Sequence, residues 1–153
     1  MNTLELKIPP PVLALGLALL MWLTSLFFAP WPMPFGFRLG AALALVAIGQ
    51  GISISGILLF RRAGTPVNPF KPDAASSLVT NGVYRFTRNP MYVGLLLTLL
   101  GWAAFLSSPP AVLYLVVFVL YMNRFQIKLE ERVLSSLFGG DYAAYQTRVR
   151  RWF

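Results

Sequence analysis

The sequence predicts an all-α integral membrane protein with about four transmembrane helices, a C-terminal helical hairpin and a polar pocket on the cytoplasmic side. Three observations lead there. First, of 153 residues 57% are hydrophobic and 12% charged, roughly half the charge of an ordinary soluble domain. Second, residues 8–37, 39–60 and 89–123 carry no Asp, Glu, Lys or Arg, and uncharged apolar runs of about 20 residues are the length that crosses a bilayer. Third, the 13 Lys and Arg residues gather at the ends of those runs, where positive charge sets orientation.

The first span, about 12–29, follows Pro9-Pro10-Pro11. Lys7 before an apolar run also suits a signal peptide, but Phe27-Phe28-Ala29 lacks the small-x-small cleavage pattern and Pro30 follows at once. An uncleaved helix is the expectation. Pro30-Trp31-Pro32-Met33-Pro34 is a stiff connector with an interfacial aromatic. The second span, 39–60, contains Gly40, Gly49, Gly51, Ser53, Ser55 and Gly56, small residues that let helix backbones approach. Gln50 among them should face the bundle. Residues 61–89 form a polar loop, rich in turn residues at 64–73, expected to be ordered on the surface. Spans 90–106 and 110–126 make a hairpin around Ser107-Ser108-Pro109-Pro110. The second limb has no breaker at the membrane exit and should run to Phe138, where Gly139-Gly140 stops it and Asp141 to Arg148 restarts a short helix. Residues 127–153 form a cytoplasmic segment, and residues 1–153 make one membrane domain.

Four spans place every Lys and Arg except Arg38 on one side. The positive-inside rule makes that side cytoplasmic, giving a multi-pass protein of the cell inner membrane with both termini inside. The arginines flank apolar spans and form no soluble basic face, so nucleic acid is not an expected partner; a membrane lipid or lipophilic small molecule is. With no Cys and no His, thiolate nucleophiles, imidazole bases, Ser-His-Asp triads and Cys- or His-ligated metals are excluded. Five carboxylates are poor material for a metal site. Any chemistry therefore points to an organic cofactor.

The stretch from Gly82 to Gly94 is the strongest candidate site, because Tyr84, Arg85, Arg88 and Tyr92 enter an apolar span directly. On the last helix Arg124, Lys128 and Arg132 form one stripe with Glu131 at its edge, and Asn123, Gln126 and Glu130 form another. Pairing of Glu131 with Lys128 or Arg124 suits the first stripe. Arg85 and Arg88 are the expected partners of the second, either as a structural Arg–Glu lock or as walls of a ligand pocket.

Gly82-Val83-Tyr84 and Arg88-Asn89-Pro90-Met91-Tyr92-Val93-Gly94 resemble the Gly-x-Tyr…Arg-His/Asn-Pro-x-Tyr-x-Gly motif of the isoprenylcysteine carboxyl methyltransferase family, and its looser version in the phospholipid N-methyltransferases. Glu130-Glu131, Leu134, Phe138-Gly139, Tyr142 and Tyr145 resemble the same family's second motif, and Arg148-Val149-Arg150-Arg151-Trp152 its closing Arg-Val-Pro-Arg-Phe. Gly64-Thr65-x-Val67 and Leu78-Val79-Thr80 are similar to its bacterial branch. Asn89 stands where histidine is common, and Arg150 where proline is usual. The resemblance implies methyl transfer from S-adenosylmethionine to a lipophilic acceptor, such as an isoprenoid-linked carboxylate. It implies catalytic roles for Arg88, Glu130, Glu131 and Arg151. Cofactor contacts would come from Tyr84, Arg85, Arg88, Asn89, Pro90, Tyr92, Gly94, Glu130, Tyr142 and Tyr145. The alternatives are an NADPH-dependent membrane reductase of the sterol-reductase type and a non-catalytic lipid-binding scaffold.

Overall fold

The structure, a computed structural model, describes residues 8–65 and 75–153. Every element among them is helical. Helix α1 (Pro10–Ser25) begins on the prolines themselves, because the first turn of a helix needs no amide donors and proline's fixed φ already suits it. It therefore starts before residue 12 and ends short of 29. Helix α2 (Phe35–Arg62) starts directly after Pro34, so Arg38 lies inside its first turns. The Nε and Nη2 of Arg38 both donate to the Phe105 carbonyl. Helix α3 (Pro90–Leu106) matches the expected limits and is stopped by Ser107 at φ 53°.

Helix α4 (Ala111–Tyr121) runs through a π-helical turn, Met122–Ile127, into helix α5 (Lys128–Arg148). The three form one helix of 38 residues. The expected stop falls at Gly139, which leaves the helical conformation at φ 48° and ψ −120°; a second helical stretch follows across the kink with no loop between. A residue without Cβ can redirect the chain at one position in this way.

Helices Phe35–Arg62 and Ala111–Arg148 are long and apolar enough to cross a membrane; Pro10–Ser25 and Pro90–Leu106 are shorter apolar helices. Their outer faces carry large apolar side chains, including Leu15 (71% exposed), Leu113 (67%) and Leu43 (61%). A soluble monomer does not leave apolar surface on this scale to water.

Helices α2 and α3 pack at backbone contact. A Cβ at Gly94 would collide with the Ser53 hydroxyl and the Gly49 carbonyl, and one at Gly49 would lie 2.6 Å from the Gly94 carbonyl. Gly56 and Gly101 sit in the same seam, against Pro90 and the Ala42 carbonyl. Gly40 and Gly51, expected to serve close approach as well, face open space. Gln50 is exposed, and its amide donates to Thr98 Oγ1 at 3.0 Å. Helix α1 closes the other side of α3: Trp102 Nε1 donates to the Ala18 carbonyl at 3.0 Å, and Thr24 bonds Tyr114 at 2.5 Å. The core between α1, α3 and α4 is built on Leu17, Met21, Leu99, Phe118 and Met122.

A second core lies at the polar end, where Val79, Tyr84, Tyr142, Tyr145 and Val149 pack with Phe60 and Leu134. The ends of the 61–89 loop are tied down beside it: Ser77 Oγ donates to the Ala63 carbonyl and the Ser77 amide to Thr65 Oγ1, at 3.0 and 3.1 Å. The expected turns at 66–73 lie outside the described residues.

Candidate functional site

Residues 87–89, just before α3, run beside residues 149–151, just after α5. The Arg88 amide donates to the Arg150 carbonyl (2.9 Å), and Thr87 Oγ1 and Asn89 Nδ2 donate to the Arg151 carbonyl (2.8 and 3.0 Å). The Arg88 guanidinium closes this seam. Its Nη1 reaches the Val149 and Gln146 carbonyls at 2.6 and 3.1 Å, and its Nη2 reaches Glu131 Oε1 at 2.6 Å. Arg151 grips the same carboxylate from the other side, with Nε on Oε1 at 2.8 Å and Nη2 on Oε2 at 2.5 Å. The side chains of Arg88 and Glu131 are 11% and 12% exposed, that of Arg151 35%. Burial alone would raise the Glu131 pKa, but hydrogen bonds from Arg151 and Arg88 outweigh it and hold the carboxyl below its ordinary value.

Glu130 faces a different environment. Tyr92, in the first turn of α3, donates its hydroxyl to Glu130 Oε1 at 2.5 Å, and Gln126 donates its amide to the same oxygen at 2.6 Å. Both donors are neutral, and no cation among the described residues forms an ion pair with this carboxylate. Glu130 lies one turn beyond the 110–126 stretch. Burial, partly offset by the Tyr92 and Gln126 hydrogen bonds, pushes its pKa up to about 7. A buried carboxyl with two neutral donors and no counter-charge is pushed toward its neutral form.

The tyrosines form an adjoining wedge. Tyr84 stacks on Phe60 with ring centres 5.1 Å apart, and its carbonyl accepts the Tyr145 hydroxyl at 2.6 Å. The Tyr84 hydroxyl is buried and has no partner among the described residues. Burial raises the pKa of Tyr145 above the ordinary tyrosine value and that of Tyr142 to about 12, so these hydroxyls stay protonated.

The structure thus brings Arg88, Asn89, Tyr92, Glu130, Glu131 and Arg151 together, with Tyr84, Tyr142 and Tyr145 alongside. It places others elsewhere. Arg85 is exposed in a separate depression with Leu58, Leu59 and Arg62. Pro90 and Gly94 are occupied by the α2 contact. The expected pairing of Arg85 and Arg88 with the Glu130 stripe is replaced by pairing of Arg88 with Glu131, because Arg88 is aimed away from Glu130 by its bonds to Val149 and Gln146. Glu131 in turn takes Arg88 and Arg151, with no ion pair to Lys128 or Arg124. Asn123 and Gln126, on the expected Glu130 stripe, both find partners here, whereas Thr87 and Trp152 are not singled out for the site by the sequence. Gln126 was visible as the i−4 neighbour of Glu130. Thr87 and the Trp152–Asn123 hydrogen bond (3.1 Å) join segments too far apart in sequence to signal each other.

The model of the phospholipid methyltransferase family matches residues 37–141, which include Arg88, Tyr92, Glu130 and Glu131. The chain belongs to the phospholipid methyltransferase family. It is 33% identical over 141 residues to a probable protein-S-isoprenylcysteine O-methyltransferase of Oryza sativa subsp. indica, covering 90% of this chain and 72% of that one. Protein-S-isoprenylcysteine O-methyltransferase A of Arabidopsis thaliana is 30% identical over 143 residues, 90% of this chain and 70% of its own. Methanethiol S-methyltransferase 1 of Bradyrhizobium diazoefficiens is 37% identical over 67 residues, 44% of this chain and 22% of its own. No solved structure matches. The chain is therefore an isoprenylcysteine-methyltransferase-like methyltransferase, and its two charged motifs meet at Arg88–Glu131.

Proposed function

We propose that this methyltransferase takes its methyl group from S-adenosylmethionine and passes it to an isoprenoid-linked carboxylate or similar lipid-like acceptor, in a pocket between the start of α3 and the start of α5. When bound, S-adenosylmethionine supplies an electrophilic methyl group on a cationic sulfonium. The observation that carries the reading is Glu130: a buried carboxylate fixed by Tyr92 and Gln126 and lacking a counter-cation. Tyr92 and Glu130 would hold the positive end of the donor, the aromatic face adding a cation–π contribution. Tyr84, with its unpartnered buried hydroxyl, supplies a neutral polar contact. Asn89 replaces a commoner histidine without needing its charge, since the amide is spent on the Arg151 carbonyl. Arg151, the more exposed of the two arginines on Glu131, would orient an acceptor carboxylate. In-line methyl displacement depends on alignment more than on proton transfer, which suits a chain without histidine. Calorimetric titration of the detergent-solubilised chain is expected to show binding of S-adenosylmethionine and of its demethylated product. Binding of NADPH alone would sink the proposal.

The accompanying topology is four crossings of the cell inner membrane by α1, α2, α3 and α4, with both termini cytoplasmic and one membrane domain. It is supported by Arg38 standing alone at the α1–α2 and α3–α4 end while Arg61, Arg62, Arg88, Arg124 and Lys128 stand at the other. A membrane-impermeant maleimide is expected to miss Ser136→Cys in intact cells and to label it in inverted vesicles. Labelling from outside contradicts the orientation.

A further inference from the structure

The basic stripe that runs from the π-helical turn into α5 is left unused by methyl transfer. Arg124, Lys128 and Arg132 recur every fourth residue, so they climb one face in steps of roughly 6 Å. They form one wall of a cleft of about 590 Å³, whose other lining residues are Glu131, Ser135, Gln146 and Arg151. Glu131 is the single carboxylate in this lining, and its two oxygens are already held by Arg88 and Arg151. Arg124 and Lys128 are exposed, and neither side chain has a hydrogen bond or ion pair among the described residues. The cleft is therefore strongly positive, with a serine hydroxyl at its edge.

Its depth is informative. Arg124 follows the apolar run Ala111–Tyr121 by less than one turn, which places the cleft where lipid phosphates begin if α4 crosses the bilayer. We propose that this cleft binds the phosphodiester of an anionic phospholipid, with Arg124 and Lys128 as its principal contacts and Ser135 as a neutral donor. The volume exceeds what a bare phosphate needs and falls in the range of small-molecule pockets. The inference rests on the membrane reading of α4 and is independent of which methyl donor is used.

The test uses the full chain in a neutral detergent, with dioctanoyl-phosphatidylglycerol, dioctanoyl-phosphatidylcholine and inorganic phosphate as probes. Affinity is read by calorimetry and retained lipid by native mass spectrometry. The double variant Arg124→Gln/Lys128→Gln removes two cations whose side chains make no hydrogen bond or ion pair among the described residues. It is expected to bind phosphatidylglycerol about thirtyfold more weakly, from the usual contribution of a basic residue near an anionic lipid surface. Arg61→Gln/Arg62→Gln removes the same charge elsewhere and is expected to leave that affinity nearly unchanged. An equal loss in both variants would reduce the effect to general surface attraction and overturn the proposal. So would equal affinity for the two lipids, or a phosphatidylglycerol affinity unaffected by the cleft variant. Inorganic phosphate binding as tightly as phosphatidylglycerol, with the same sensitivity to the variant, would overturn the lipid as source.

Discussion

Replacing Arg88 by alanine is expected to release the C-terminal segment from the rest of the protein. The guanidinium holds two carbonyls of the α5 end, Gln146 and Val149, and one oxygen of Glu131. All of these face a pair only 11% and 12% exposed. Breaking one side of such a buried pair costs about 3–5 kcal/mol, against a total stability of only about 5–15 kcal/mol. The cost falls locally, because the core between α1, α3 and α4 does not include Arg88. Limited proteolysis should cut within 149–153 in the variant and not in the parent, with a lower unfolding temperature. Arg88→Lys is expected to recover part of the loss, since a single ammonium cannot reproduce three directed hydrogen bonds. Glu131 adds a pH signature. Its folded pKa is depressed, so the stability it contributes is full above the ordinary carboxyl value of 4.5 and is lost as pH falls through the folded value. Arg88→Ala should flatten that acid limb. Unchanged tail protection and an unchanged acid limb would show that Arg88 is no lock.

Much of this architecture was legible in the sequence because the relevant signals are local. Uncharged runs bounded by proline and arginine located the helices, and α3 was placed to within a residue by Asn89-Pro90 and Ser107-Ser108. The i, i+4 rule separated the Glu130 stripe from the Arg124–Lys128–Arg132 stripe. What sequence could not supply was the partner across space. Arg85 and Arg88 are three residues apart and look interchangeable, yet the 3₁₀ turn Gly82–Arg85 leaves Arg85 outside while the backbone of 87–89 turns Arg88 into the tail. Gly94, expected at the cofactor, lies instead in a helix seam with Ser53 against it. The π-helical turn Met122–Ile127 has no composition of its own, although such turns gather at functional sites. Here it lies directly beneath Glu130.

Glu130→Gln is expected to weaken methyl-donor binding while strengthening the empty protein. Glutamine keeps an acceptor for the Tyr92 hydroxyl and nearly the same volume, so the local packing survives. What it removes is the negative charge. A hydrogen-bonded charge in a buried site contributes about 1.5–3 kcal/mol, so donor affinity at pH 8 should fall roughly 10- to 100-fold. The pH dependence is sharper evidence. With a pKa raised to about 7, Glu130 is largely protonated below neutrality and cannot meet a cation. Donor affinity in the parent should therefore rise with pH through about 7 and then level off, with a proton released on binding below that point. In the glutamine variant it should not vary over this range. Stability moves the other way. A carboxyl whose folded pKa lies above its unfolded value costs stability as pH rises from about 4.5 to about 7, so the variant should unfold at a higher temperature than the parent at pH 8 and at a similar one at pH 4. A residue kept only for packing would lower both quantities when replaced. Opposite changes, with binding lost and stability gained, are the mark of a charge retained for its ligand; a variant that binds the donor normally at every pH would remove Glu130 from the site.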